Sequence, residues 1–224
     1  MRTKMNEARN AILARLNKQI NTGNSKRDQL ISTQTKALNT KQTFDQLTEK
    51  LKENRAEVYR VSSKNWIDTL TQIALEKKLN TWLIGGNLRT IEQAGKALTE
   101  ASPEISLVHY SQSYESLKKT LFHEIDASVT LAKAAIADTG TLILIPDKNE
   151  PRMMSLVPPV HVVILKEQDV VGSFQQLVDH PPWSIQNMPS NIVFISSPSK
   201  TADIQQTLAY GAHGPKNLIV LILS

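Results

Sequence analysis

Apolar residues recur at two different spacings along the chain, and this divides it into two parts. In residues 5–20, five apolar side chains follow each other at helical spacing, which predicts one amphipathic helix. A break rich in Asn, Ser and Gly follows. Phe44, Leu47 and Leu51 then repeat the helical spacing and predict a second helix. We therefore predict an N-terminal helical arm over residues 1–55.

From Glu57 onwards, short apolar runs alternate with helical patterns. The strand-like runs are VYRV, TWLIGG, ISLVHY, TGTLILIP, VHVVILK, NIVFIS and NLIVLIL. Helices are predicted in KNWIDTLTQIALEKKL, LRTIEQAGKAL, VVGSFQQLVDH and TADIQQTLAY, and no element is assigned between Tyr114 and TGTLILIP. Uninterrupted apolar strands separated by helices are typical of parallel sheets covered on both faces. We predict one α/β domain over residues 56–224, with a mostly parallel sheet and helices on both faces.

The amino-acid composition excludes several kinds of functional site. The chain has 224 residues, 40% of them hydrophobic, and no cysteine. This excludes disulfides, cysteine nucleophiles, thiolate zinc sites and cysteine-ligated iron–sulfur clusters within the chain. The N-terminus has no apolar core of a secretory signal, and no stretch approaches the roughly 18 apolar residues of a membrane span. We predict a cytoplasmic protein without a membrane span.

The positive charge is concentrated at the N-terminus. Residues 1–60 hold 13 Lys and Arg against 6 Asp and Glu, whereas the remainder holds 13 against 15. A basic arm could contact nucleic acid or an anionic membrane. The basic residues are dispersed, however, and aromatic side chains that stack on bases are nearly absent there. This favours a solvated helical face, and we predict no nucleic-acid partner.

The segment ISSPSKTADI lies between a predicted strand and a predicted helix. The first turn of a helix has unpaired N–H groups, and its dipole favours an anion. Lys200 would add a cation, while Ser199 and Thr201 would add hydroxyl groups, so a phosphate or carboxylate would suit this position. Alternatively, Ser199 or Thr201 caps the helix, with Asp203 favourable in its first turn. The residues alone leave both interpretations open.

A second polar segment, IADTGT, precedes the strand TLIL. Gly140 would let the backbone approach a ligand closely, and Thr139 and Thr141 offer hydroxyl groups. The simpler interpretation is a tight turn in which Asp138 makes a local hydrogen bond. Without further information, the residues favour the turn.

Three further side chains are candidates for binding or acid–base chemistry. Arg152 could hold a carboxylate with two hydrogen bonds, or could be an ordinary surface residue. His161 opens an apolar strand, where a histidine is more often structural than catalytic. His213 is flanked by glycines, which leave space around a titratable ring. The chain has no His-Glu-x-x-His spacing, so we predict no bound metal.

Four of these segments together resemble one known family. DTGTLIL, SLVPPVHVVIL, SSPSKTADI and GAHGP stand in the order of the LUD domain family, and are similar to its lactate utilisation protein C and YkgG-type subunits. The resemblance implies an α/β fold related to the sugar-phosphate isomerase and coenzyme A transferase group. It also implies a three-protein system that oxidises L-lactate to pyruvate. Iron–sulfur clusters are then expected on the two partner subunits, with none bound by this chain.

The resemblance also implies a set of site residues. The family's motif residues fall on Thr139, Gly140, Thr141, Pro159, His161, Pro198, Ser199, Thr201, Asp203, His213, Gly214 and Pro215. This chain departs from the family pattern at Asp138, Ser197 and Lys200, where the family usually has Glu, Gly and Arg. The expected catalytic residues are Asp138 and His213. The expected ligand-binding residues are Thr139, Gly140, Thr141, Arg152, His161, Ser197, Ser199, Lys200, Thr201, Asp203 and Gly214.

Three functions follow from these expectations. The favoured one is an accessory subunit of an L-lactate-oxidising system that holds a small carboxylate or phosphate while iron–sulfur partners transfer electrons. The second is a stand-alone enzyme of the isomerase or coenzyme A transferase type, with Asp138 as base or nucleophile. The third is a scaffold without catalytic activity.

Overall fold

The computed structural model describes residues 40–86, 89–110, 114–183, 188–202, 208–210 and 214–224, together with residues 9, 11 and 13–15. The chain forms two compact units, Met1–Ala37 and Leu38–Ser224. In the first unit, the five described residues are helical, in agreement with the predicted first helix. None of the helices among the described residues is long and apolar enough to cross a membrane.

The second unit alternates helices and strands. Its helices are α1 (Thr40–Glu53), α2 (Trp66–Glu76), α3 (Arg89–Ala101), α4 (Tyr114–His123) and α5 (Phe174–Asp179). Its strands are β1 (Glu57–Val61), β2 (Thr81–Ile84), β3 (Ser106–His109), β4 (Ala127–Leu131), β5 (Ala134–Ile136), β6 (Thr141–Leu144), β7 (Val160–Lys166), β8 (Val170–Val171), β9 (Val193–Ile195), β10 (Lys200–Ala202), β11 (Leu208–Tyr210) and β12 (Asn217–Leu223). Two short 3₁₀ helices span Arg152–Ser155 and Glu167–Asp169.

A six-stranded parallel sheet forms the centre of the unit. Its strand order is β1-β12-β7-β4-β2-β3, and every neighbouring pair is parallel. The strands β7 and β12 each have a neighbour on both sides, and nearly all their residues are buried, as expected for strands covered on both faces. The α/β class and the mostly parallel sheet predicted from the apolar runs are confirmed.

Alternate side chains of the sheet pack against different layers. On one face, Trp82 and Ile84 of β2 pack with apolar side chains of α2 and α3. On the other face, Val163 and Leu165 of β7 pack with α1, β5 and β6. Helices therefore cover both faces, but on the second face a smaller sheet shares that role.

This smaller sheet has the order β8-β5-β6-β9. The pairs β5–β6 and β6–β9 are antiparallel, and β5–β8 is parallel. The run NIVFIS was expected in the main sheet with the other strands, but its strand β9 belongs to this second sheet. The segment IADTGT is the turn between β5 and β6, as the simpler interpretation predicted, but Asp138 bonds to Gln46 of α1 rather than locally.

The boundary predicted at residues 55 and 56 differs from the structure. Helix α1 contributes Phe44, Leu47 and Leu51 to the core, each at most 2% exposed, and the compact unit begins at Leu38. The second helix of the expected arm therefore belongs to the α/β body. The apolar spacing predicted this helix correctly, but a helical period does not reveal which surface its apolar face covers.

The predicted helix over TADIQQTLAY is wrong for the five of its residues that the structure describes, and residues 203–207 lie outside the described ranges. Residues Lys200–Ala202 and Leu208–Tyr210 form strands β10 and β11, which pair antiparallel with each other. Short segments that contain both Thr and Leu can form a helix or a strand, and pairing between strands overrides a weak local propensity. Without a helix beginning at Thr201, the expected anion site at a helix N-terminus is also lost.

Candidate functional site

A cavity of about 420 Å³ lies on the second face of the main sheet. His161 and Leu218, the second residues of β7 and β12, form part of its wall. Its polar wall residues are Arg152, Ser155, His161, Ser196, Ser197 and Ser199. The cavity thus lies at the amino ends of β7 and β12, whereas ligands of open α/β sheets usually bind beyond the carboxyl ends of the strands.

His161 is the most constrained polar residue of this cavity. Its side chain is fully buried, and its Nε2 lies 2.8 Å from Oγ1 of Thr130 on the neighbouring strand β4. Its Nδ1 has no hydrogen-bond partner among the described residues. Burial lowers the pKa of His161 to about 3, so the ring is neutral near pH 7. A neutral imidazole can donate or accept a hydrogen bond at its unpaired nitrogen, depending on the tautomer.

Arg152 begins a 3₁₀ helix whose first and last residues line the cavity together with this histidine. The buried Met154 fixes that helix, packing against Leu83 and Leu121, while its carbonyl accepts a 2.6 Å hydrogen bond from Ser128 Oγ. Arg152 forms no ion pair with another residue of the described ranges. Its guanidinium therefore remains able to bind an anion in two-pronged fashion.

Hydroxyl groups from two strands meet beside the cavity. Thr139 Oγ1 lies 2.6 Å from Thr141 Oγ1, which lies 2.8 Å from Ser196 Oγ. The loops before β6 and after β9 converge here because these strands are antiparallel neighbours.

The segment after β9 is fixed by the chain before β12. Ser199 N donates a 2.8 Å hydrogen bond to the Pro215 carbonyl. Gly214 lies so close that an added Cβ would stand 3.3 Å from Ser199 Cβ. This close approach brings Ser197, Ser199 and Gly214 into one wall of the cavity.

The structure brings together some of the expected site residues. Those that line the cavity are Arg152, His161, Ser197, Ser199 and Gly214. Thr141 is not part of the cavity wall, but its hydroxyl group bonds to that of Ser196, which is. Thr139 bonds to Thr141 and is not part of the wall either. Asp203 and His213 lie outside the described residues. Lys200 and Thr201 belong to strand β10.

Asp138 and Gly140 lie elsewhere. The exposed Asp138 accepts a 3.3 Å hydrogen bond from Gln46 of α1 and is not part of the cavity wall. Gly140 was expected to approach a ligand, but it approaches α1 instead. A Cβ at Gly140 would stand 2.8 Å from Cβ of Lys50, and its φ is +63°. The absent side chain therefore serves helix packing and the turn.

Glu150 is a buried polar residue outside the cavity wall that sequence reasoning missed. It is only 9% exposed, and its Oε1 accepts a 3.1 Å hydrogen bond from Leu131 N. Burial raises the pKa of Glu150 to about 7; the Leu131 amide and Lys133 oppose the shift, and Asp147 adds to it. No sequence signal marked this residue, because the close approach of its loop to Gly85, where an added Cβ would stand 2.5 Å from the Asn149 carbonyl oxygen, is visible only in the structure.

The described ranges contain no cluster of three or more His, Asp or Glu side chains that could hold a metal ion. The polar wall is instead made of one guanidinium, one neutral imidazole and several hydroxyl groups. Such a set can donate several hydrogen bonds and one positive charge. It is chemically suited to a small anion rather than to a cation.

Comparisons with known proteins identify the family. The LUD domain matches residues 44–223, which is most of the chain. The chain belongs to the LUD domain family. An uncharacterized protein of Neisseria meningitidis serogroup B is 37% identical over 169 residues, covering 75% of this chain and 72% of that protein. Lactate utilization protein C 1 of Bacillus mycoides is 25% identical over 186 residues, covering 80% of this chain and 77% of that protein.

A solved structure agrees with this assignment at the level of the fold. The crystal structure of a DUF162 family protein from Deinococcus radiodurans matches with a TM-score of 0.61 at 18% identity. The match covers 84% of this chain and 99% of that chain. The match to the LUD domain, together with the relatives named lactate utilization protein C, confirms the resemblance that the four sequence motifs predicted.

Proposed function

We propose that this LUD domain chain is an accessory subunit of a cytoplasmic system that oxidises L-lactate to pyruvate. In this role it binds a small anionic ligand in the cavity beside His161. Iron–sulfur partner proteins transfer the electrons. The relatives named lactate utilization protein C support a role in lactate utilisation.

One observation carries the ligand-binding part of this proposal. His161 lines the cavity while its buried Nδ1 has no partner among the described residues. Leaving a buried polar atom unpaired costs about 1–3 kcal/mol, and a ligand that pairs with it would recover that cost. Arg152 in the same wall supplies the charge that favours a carboxylate or phosphate.

The composition of this chain indicates which subunits hold the iron–sulfur clusters. It has no cysteine, the usual ligand of iron–sulfur clusters, so we assign these clusters to partner subunits. The alternative of a stand-alone isomerase or coenzyme A transferase depended on Asp138. This residue bonds to Gln46 and lies outside the cavity wall, which gives that alternative no support.

Deletion of the gene tests the proposed role. The deletion strain should not grow on L-lactate as sole carbon source but should grow normally on pyruvate. The wild-type gene should restore growth, and the Arg152→Ala variant should restore it only in part. Affinity purification of the tagged chain from lactate-grown cells should recover iron–sulfur proteins. Normal growth of the deletion strain on L-lactate would refute the proposal.

A further inference from the structure

Two neighbouring strands bring one hydroxyl group and one imidazole ring together in the interior. Thr130 of β4 is 3% exposed, His161 of β7 is fully buried, and Thr130 Oγ1 lies 2.8 Å from His161 Nε2. Among the described residues, this is the only hydrogen bond of the Thr130 hydroxyl group, and Nδ1 of His161 has none. The group that donates in this one bond therefore determines which ring nitrogen carries the proton.

The adjacent buried hydroxyl groups both donate to a backbone acceptor. Ser128 is two residues before Thr130, on the same face of β4, and its Oγ donates a 2.6 Å hydrogen bond to the Met154 carbonyl. Ser155 Oγ donates at 2.9 Å to the Arg152 carbonyl. Each of these hydroxyl protons has an acceptor, as is usual for buried donors. The hydroxyl proton of Thr130 needs an acceptor of its own.

The two tautomers of His161 differ in the number of polar groups that they leave unpaired. If Thr130 donates to Nε2, the proton of the neutral ring is on Nδ1, and this Nδ1–H is the one unpaired group of the two side chains. If Nε2–H donates to Thr130, the hydroxyl proton and the lone pair of Nδ1 are both unpaired. Each buried polar group without a partner destabilises the fold, so the first arrangement is the more stable.

We infer that Thr130 is a positioning residue that holds His161 as the Nδ1–H tautomer, so that the ring offers the ligand a hydrogen-bond donor. This inference rests on the proposed function, since it concerns the same ligand site. The matching group of the ligand is then an acceptor, namely a carboxylate or a keto oxygen. The opposite tautomer would instead offer a lone pair to the hydroxyl group of L-lactate.

The tautomer also decides whether His161 binds the ligand or removes a proton from it. Oxidation of L-lactate requires loss of its hydroxyl proton, and the base for that step needs a free lone pair. In the inferred arrangement neither ring nitrogen has one, because Nδ1 carries a proton and Nε2 accepts from Thr130. Burial lowers the pKa of His161 to about 3, which also makes the ring a weak base. The base for this step therefore lies outside the ring, in keeping with an accessory role.

Glu150 is the competing acceptor for the hydroxyl proton of Thr130. The two residues line the same cavity of about 10 Å³, which is about the size of one water molecule. The hydrogen bonds of the described residues include none between these two side chains, and Glu150 Oε1 accepts from Leu131 N. Replacement of Glu150 therefore tests whether its carboxyl group affects the tautomer.

Nitrogen NMR of the full chain with ¹⁵N-labelled histidine measures the tautomer at pH 7. In a neutral imidazole, the protonated and unprotonated nitrogens have well-separated signals, and long-range couplings to the ring protons distinguish Nδ1 from Nε2. The variant His161→Asn assigns the signals of His161. In the wild type, Nδ1 should be the protonated nitrogen both without ligand and with saturating sodium L-lactate.

Substitution of Thr130 tests its positioning role. In Thr130→Val, Nε2 loses its donor, so the signals should move towards those of the Nε2–H tautomer that an unconstrained histidine prefers. The Kd for L-lactate, measured by calorimetry, should rise by about twofold to tenfold, the range for one hydrogen bond. Thr130→Ser keeps the hydroxyl group and should restore both the tautomer and the affinity.

Two further variants serve as controls for the tautomer. Ser128→Ala removes the adjacent buried hydroxyl group, which bonds to the Met154 carbonyl and not to the ring. Glu150→Gln removes the charge of the competing acceptor. Both variants should keep the signals of the Nδ1–H tautomer.

The outcomes distinguish the inference from the proposed function. An Nε2–H tautomer in the wild type would overturn the inference, and binding of L-lactate would then leave the proposed function intact. An Nδ1–H tautomer that persists in Thr130→Val would overturn it as well. If neither L-lactate nor pyruvate binds, the proposed ligand site fails, and the assigned acceptor group fails with it. The wild-type spectrum gives the tautomer even if the valine variant does not fold.

Discussion

The ring nitrogen Nε2 of His161 and the hydroxyl group of Thr130 lie 2.8 Å apart in the buried interface of β7 and β4. This contact occupies one side of the imidazole and leaves Nδ1 without a partner among the described residues. The strand pair thereby fixes the orientation of the ring. The proposed ligand site depends on this pairing.

Replacing Thr130 with valine should destabilise the fold. Valine preserves the shape but removes the hydroxyl group, so Nε2 of His161 would be buried without a partner. The free energy of unfolding, measured with urea, should fall by about 1–3 kcal/mol. Thr130→Ser retains the hydroxyl group and is the control, which should recover most of this loss apart from the missing methyl. Equal stability of Thr130→Val and wild type would show that this hydrogen bond contributes nothing.

Gly140→Ala should also destabilise the fold, for a different reason. The residue has a φ of +63°, and a Cβ would stand 2.8 Å from Lys50 Cβ and 2.9 Å from the Lys50 carbonyl carbon. The left-handed conformation alone costs a residue with a Cβ roughly 1–2 kcal/mol, and displacement of α1 adds to it. In Gly86→Ala, the nearest atom to the new Cβ would be Asn149 Oδ1 at 3.8 Å, so thermal unfolding should change little.

The stability of the Glu150→Gln variant should depend on pH differently from that of the wild type. The pKa of Glu150 is raised from 4.5 to about 7 in the folded protein, so its contribution to stability is complete below about pH 4.5 and is lost as the pH rises through 7. Glutamine cannot ionise and avoids this loss. From pH 4.5 to pH 8, the variant should therefore gain on the order of 3 kcal/mol relative to wild type.

Urea unfolding of both proteins across this pH range measures the difference, and groups other than Glu150 cancel in the comparison. A difference that stays constant with pH would mean that Glu150 titrates at the pKa of an ordinary exposed carboxyl group.

Arg152→Ala should weaken binding of L-lactate by about tenfold to 100-fold, because a charge-assisted hydrogen bond is worth about 1.5–3 kcal/mol. Arg152→Lys should recover only part of the affinity, since lysine keeps the charge but loses the planar fork. Arg89→Ala removes an equal charge from an exposed position at the start of α3 and should bind as the wild type does. An equal loss in the two alanine variants would indicate a general effect of net charge.

The central elements of this fold could be predicted from sequence because their patterns are strong. The apolar runs of β7 and β12 are long enough to identify buried parallel strands, and α1 has clear helical spacing. By contrast, β10 and β11 have three residues each, and their state is decided by pairing with each other. Local pattern carries little information about such short segments.

The candidate site was less predictable for a related reason. Arg152 and His161 could be selected from their residue types and position beside a strand. Glu150 could not be selected in this way. Its pKa is raised by burial, and the residues that contact it, Gly85 after β2 and Leu131 of β4, are distant from it in sequence. Asp138 had a suitable residue type, but the turn directs it to Gln46 of α1.

The central claim is that the cavity beside His161 binds a small anion, and nitrogen NMR of the imidazole ring tests it most directly. The five histidines of the chain can be labelled with ¹⁵N, and His161→Asn assigns the signals of His161. On addition of L-lactate or pyruvate, the Nδ1 signal of His161 should shift in a saturable manner, and Arg152→Ala should require a higher concentration for the same shift. If saturating amounts of both ligands leave the His161 signals unchanged, the cavity is not the site at which this protein binds them.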